Sequence, residues 1–122
     1  MNNLNFNSEQ HKAFFLKYVD LYKGDTQTLV LFYLLGVSES TRTNIKQIYD
    51  FESHCIIPDC LTAGWLTSST GALIRLAFDL YHASPVIPAD DYSISNYSVS
   101  NTLGKLNEWL PYGIAAINLI YG

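Results

Sequence analysis

Apolar positions along this chain recur at helical spacing in several separate runs. Behind Ser8, Phe14, Phe15, Tyr18, Val19, Leu21 and Tyr22 fall three and four apart, and Gly24 follows as a left-handed stop. A serine before such a run accepts a bond from a backbone N–H and opens a helix, so the pattern predicts a first helix over about 8–23. Asp25 can cap a second helix, whose stretch 29–35 is apolar on every side and ends at Gly36. A helix without a polar face belongs in the middle of the molecule. Ser38 or Ser40 can cap a third helix through Ile45, Ile48 and Tyr49.

Beyond this point the periodicity lapses. The stretch 51–69 holds Pro58, Gly64 and several small polar residues. It reads as an ordered loop, about 51–68, with one turn of helix. Ser68 or Ser69 then opens a fourth helix to about His82, stopped before Pro85. Pro85 and Pro88 frame a connection into 90–101, where Tyr92, Ile94, Tyr97 and Val99 alternate imperfectly. A loop with a helical turn suits this segment better than a strand. A short helix over about 98–105 follows. Asn107 caps a last helix to Tyr121, and Pro111 falls in its first turn, where a missing N–H costs nothing. No internal repeat or linker interrupts the chain. The reading is all-α: a single compact domain, 1–122, of five or six helices with one long ordered loop.

Composition narrows the function more than the fold. The 122 residues are 48% hydrophobic and 15% charged, which is enough for a core and excludes disorder. The net charge is −4, and the seven Lys and Arg are scattered. Without a basic stripe, direct binding of nucleic acid is not expected. The first ten residues have neither the basic region nor the apolar core of a signal peptide, and 29–35 is far too short to cross a bilayer. Two cysteines are no disulfide framework. These features lead to an expectation of a cytoplasmic protein with reduced thiols, no membrane attachment and no cofactor.

Mixed chemistry is concentrated in 48–82. His54, Cys55, Cys60 and His82 are zinc-ligand types, but their spacing fits no zinc motif, so no metal site is expected. Cys60 or Ser68 could serve as a nucleophile with His54 or His82 as base, yet no motif fixes that geometry and no catalytic residue is assigned. Arg75, Asp79 and His82 form a polar stripe on a helix otherwise apolar. Placed among Leu73, Ile74, Leu76, Ala77 and Phe78, Arg75 is expected to be buried and to pin the loop by bonding Asp79, Asp50 and Asp59. The alternative is an anion-binding arginine at the floor of a pocket lined by Trp65, Thr67 and Ser68. Among the aromatics, those in loops (Trp65, Tyr92 and Tyr97) are the candidates for recognition. The candidate binding set is thus Asp50, Asp59, Trp65, Thr67, Ser68, Arg75, Tyr92 and Tyr97.

The succession IYDF, IIPDCL, GWLTSS and ALIRLAFDLY, preceded by LVLFYLLG, resembles a family of small uncharacterised proteins of Gram-positive bacteria and their phages or prophages. The resemblance runs over 29–81 and more loosely to both ends. It implies that Asp50, Phe51, Asp59, Cys60, Gly64, Trp65, Ser68 and Arg75 are motif positions. After Ala83 the chain departs from the pattern, with a longer and more polar segment to Asn101. The resemblance implies a fold and a cellular setting, not a reaction.

Three functional readings compete. The first is a non-enzymatic protein that docks on another protein, of which a phage-encoded inhibitor of a host defence system, anti-CRISPR-like, is a natural variant. A second copy of the chain, giving a homodimer, is a further candidate partner. The second is a small hydrolase or transferase using Cys60 or Ser68, with Arg75 holding an anionic group. The third is a structural, self-assembling module.

Overall fold

The computed structural model describes residues 4–82 and 105–121. Its order is α1 (Glu9–Val19), α2 (Thr26–Leu35), α3 (Glu39–Thr43), α4 (Ile45–Ile48), β1 (Tyr49–Asp50), β2 (Cys55–Ile56), a 3-10 turn (Pro58–Thr62), α5 (Ser68–Tyr81), a second 3-10 turn (Asn107–Trp109) and α6 (Leu110–Tyr121). The helical reading holds. The strand-versus-loop question at 90–101 and nearly all of the expected 98–105 helix lie outside the described residues.

α2 is the axis of the molecule, and α1, α5 and α6 all pack on it. Every residue from Thr28 to Ser38 is buried. That is the location its lack of a polar face demands. Phe14, Phe15 and Tyr18 cover it from α1, Leu73, Leu76, Ala77 and Leu80 belong to the same core from α5, and Ala116 joins from α6. Asp25 caps α2 as expected, its carboxylate accepting from Thr28 N–H at 3.2 Å and from the Thr28 hydroxyl at 2.7 Å. Ser8 caps α1 by accepting from His11 N–H at 3.0 Å.

Several boundaries move, each for a local reason. α1 stops at Val19, and 20–24 form a turn closed by Gly24 at φ +91°. Leu21, which extends the apolar pattern, is 69% exposed and contributes nothing to the core. The expected third helix is two short ones. Asn44 breaks them by donating its side-chain amide to Ser40 O at 2.8 Å, an Asn habit that competes with the helix. Ser38 is the cap of α3. At α5 the cap is Thr67 rather than Ser68 or Ser69, with Oγ1 accepting from Thr70 N–H at 3.0 Å.

The stretch 51–68 is more structured than a loop. Tyr49 pairs with Ile56 and Asp50 with Cys55 in an antiparallel hairpin. Asp50 Oδ1 accepts from Glu52 N–H at 2.9 Å, which turns the chain. His54 completes the turn at φ +57°, a region histidine tolerates better than most residues. The 3-10 turn that follows carries Cys60 into the core.

Candidate functional site

A helix leaves its last four carbonyls without partners, and a buried helix end must find donors for them. α2 ends fully buried and has no basic residue in its last turn. Backbone closes two bonds, Gly36 N–H to Phe32 O at 3.0 Å and Val37 N–H to Leu34 O at 3.1 Å. Side chains from three other segments serve the rest. His11 Nε2 meets Tyr33 O at 2.7 Å. The Thr41 hydroxyl faces the carbonyls of Leu35 and Ser38. Arg42 Nη1 donates to Gly36 O at 2.7 Å, and Asn7 Nδ2 to Val37 O at 2.9 Å. A cation at a helix C-terminus is also favoured by the helix dipole.

His11 is the centre of this cap. It is 0% exposed, and its Nδ1 accepts from Asn7 N–H at 2.9 Å. That bond fixes the neutral tautomer with the proton on Nε2, donating to Tyr33 O. Burial drives its pKa down to about 4; the Tyr33 bond opposes the shift and Arg42 adds to it. Tyr33 in turn donates its hydroxyl to Asn5 O at 2.7 Å, and burial with Tyr112 nearby raises its pKa to about 12. Gly36 allows the closeness: a Cβ there would lie 2.9 Å from both His11 Cδ2 and Phe14 Cδ1. Outside the cap a groove of about 400 Å³ is lined by Asn7, Ser8, Ser38, Glu39, Arg42 and Trp109, among others.

The other end of the core is aromatic. Tyr18 stacks on Phe32 at 4.3 Å between ring centres, and Phe51 stacks against both, at 5.5 and 6.0 Å. Tyr22 adds a further stacked ring on Phe32 and bonds His54 Nδ1 through its hydroxyl at 3.1 Å. Tyr49 is buried beside them, and burial pushes its phenol well above the ordinary range. In the Tyr-Asp-Phe sequence, then, Tyr49 and Phe51 anchor the hairpin while Asp50 shapes its turn.

The residues singled out from sequence are dispersed and mostly occupied with local structure. Asp50 is exposed, and the amide of Glu52 holds its carboxyl below the usual range. Asp59 is exposed on the 3-10 turn, where its backbone carbonyl accepts from Thr62. Trp65 is half-buried and donates Nε1 to Gln47 Oε1 at 3.0 Å. Thr67 is the α5 cap, and Ser68 is exposed beside it. Tyr92 and Tyr97 lie outside the described residues.

The expectation for Arg75 needs correction. It is exposed, and among the described residues no hydrogen bond or ion pair joins it to Asp50 or Asp59. Its apolar sequence neighbours point inward on either side, while position 75 lies seven residues from both exposed Ser68 and exposed His82, on the outer line of α5. The arginine engaged in structure is Arg42. Sequence reasoning also missed His11, Asn7 and Thr41. His11 had a signal: it lies three, four and seven positions before Phe14, Phe15 and Tyr18, hence on the buried face of α1.

Cys55 is exposed and Cys60 buried, both free. Burial, with the Asp59 charge, pushes the Cys60 thiol up and away from the reactive thiolate. Among the described residues no group of three or more His, Cys, Asp or Glu is placed to hold a metal ion, and no helix is long and apolar enough to cross a membrane.

A different surface stands out on α6. Leu110 is 37% and Ile114 47% exposed, with Pro111 exposed between them, and 109–122 contain no charged residue. Together these features define a small helical protein built around one buried helix, with an uncharged apolar strip on its outside. The chain belongs to a family of unknown function (DUF6075), whose model matches residues 1–122. No curated protein and no solved structure matches it.

Proposed function

We propose that this protein works without catalysis, by docking on another protein. The observation that carries the reading is the α6 strip. Leu110, Pro111 and Ile114 face solvent on a helix without charge, in a chain whose net charge is −4. Exposed large apolar side chains grouped on one face suit a protein contact. The absence of basic residues there speaks against a nucleic-acid backbone. The setting we propose is the cytoplasm of a Gram-positive bacterium, with the protein encoded by a phage or prophage and a host defence system as its target. The Cys60 hydrolase reading loses support from the buried, protonated thiol.

Capture experiments with the wild type and Ile114→Glu from such a host test the reading. The substitution is at a 47% exposed site, so stability should change by about 0.5 kcal/mol or less. A partner retained by the wild type and lost by the variant is the expected result. Identical captures from both proteins would remove α6 as the docking surface.

A further inference from the structure

We propose that residues 4–8 form a detachable strap, released by a single proton on His11 Nδ1, which uncovers the aromatic pocket that holds Phe6. Besides the partly buried Leu4, which packs on the core, the strap's attachments gather around the end of α2. Asn5 O accepts from the Tyr33 hydroxyl, Asn7 N–H donates to His11 Nδ1, and Asn7 Nδ2 donates to Val37 O. The Phe6 ring sits 5.1 Å from that of His11, 5.8 Å from Phe15 and 5.9 Å from Tyr33. Ser8, the cap of α1, is the hinge beyond which the chain is helical.

The proton acts because Nδ1 is an acceptor. Protonated, it becomes a donor aimed at another donor, the Asn7 amide, on a ring that is itself shut off from water while Asn7 lies at the surface. The Tyr33 carbonyl and the C-terminal end of α2 favour the charge, but burial outweighs them. Arg42 from α3 repels the charge, Tyr33 from α2 and Tyr112 from α6 present neutral phenols, and Glu9 and Lys12 on its own helix are exposed. Opening the strap removes the donor clash and gives Nδ1 access to water, while Nε2–H can keep Tyr33 O.

The amide of Asn7 reports opening directly. With a histidine pKa of 6.5 when released and about 4 when enclosed, the opening equilibrium should rise about sixty-fold between pH 7 and pH 4.5. We expect the Asn7 protection factor from hydrogen exchange to fall by that amount. We also expect it to lie at least about tenfold below those of the α2 amides at every pH, because strap opening is smaller than global unfolding. His11→Gln offers a donor and an acceptor but does not titrate, so the pH dependence should vanish. Tyr33→Phe removes the bond to Asn5 and should lower Asn7 protection at pH 7 without changing its slope. Protection of Asn7 equal to that of α2 would mean that only whole-chain unfolding frees it. A flat pH profile in the wild type, or no effect of Tyr33→Phe, would likewise overturn the strap.

Discussion

Two arginines sit near helices here, and the contrast between them shows what a guanidinium needs in order to matter. Arg75 is surrounded in sequence by apolar residues, yet its side chain leaves the core for water. Arg42, in a short polar helix that attracts no notice, donates to the buried end of α2. Its removal leaves the Gly36 carbonyl without that donor and takes a positive charge from a helix C-terminus. Arg42→Ala should therefore cost about 1.5–3 kcal/mol, the range for a hydrogen bond to a charged group. Arg75→Ala should stay within about 0.5 kcal/mol, as at other exposed sites. Chemical denaturation of the two variants checks both figures. Equal losses would return Arg75 to the structural role that its sequence neighbours suggested.

Elements were legible wherever a local rule decides them. The Ser8 and Asp25 caps, the centrality of α2 and the position of Pro111 in the first turn of α6 follow from single residues and periodicity. The hairpin was not legible, because two paired residues on each strand are too few to show alternation. It is held by Phe51 stacking on Tyr18 and Phe32, a contact between segments far apart in sequence. The candidate site was read least well for the same reason. Carbonyl capping of α2 joins residues up to thirty apart, and only the inward position of His11 hinted at it. At the start of α5, three hydroxyl residues compete as cap, and only Thr67 has the extended backbone and the bond to Thr70 N–H. Thr67→Ala should lower the melting midpoint by the equivalent of about 1 kcal/mol, while Ser68→Ala changes it little. The reverse order would move the helix start by one residue.

For the whole molecule, the decisive arrangement is a helix buried from Thr28 onward whose end is closed by a neutral histidine. That makes acid sensitivity a property of the fold. His11 binds its proton far more weakly in the folded chain than in the unfolded one, with a pKa of about 4 against 6.5. Between those values the unfolded chain holds more protons, so stability must fall as pH falls. The loss begins near pH 6.5, is complete a little below 4, and amounts to about 3 kcal/mol over the whole window. Asp50 works in a different range. Its folded pKa lies below 3.8, so whatever its turn contributes is kept above that pH and lost only as the pH falls through the folded value. The two groups can therefore be separated by pH alone. Urea titrations at half-unit steps from pH 7.5 to 4.5 should show a plateau down to about pH 6.5 and a steady decline below it in the wild type, against a nearly flat line in His11→Gln, where nothing at the cap titrates. A wild-type profile that stays flat to pH 4.5 would mean that His11 takes up its proton in the folded state with no penalty, either against the Asn7 amide or with that contact already open at neutral pH.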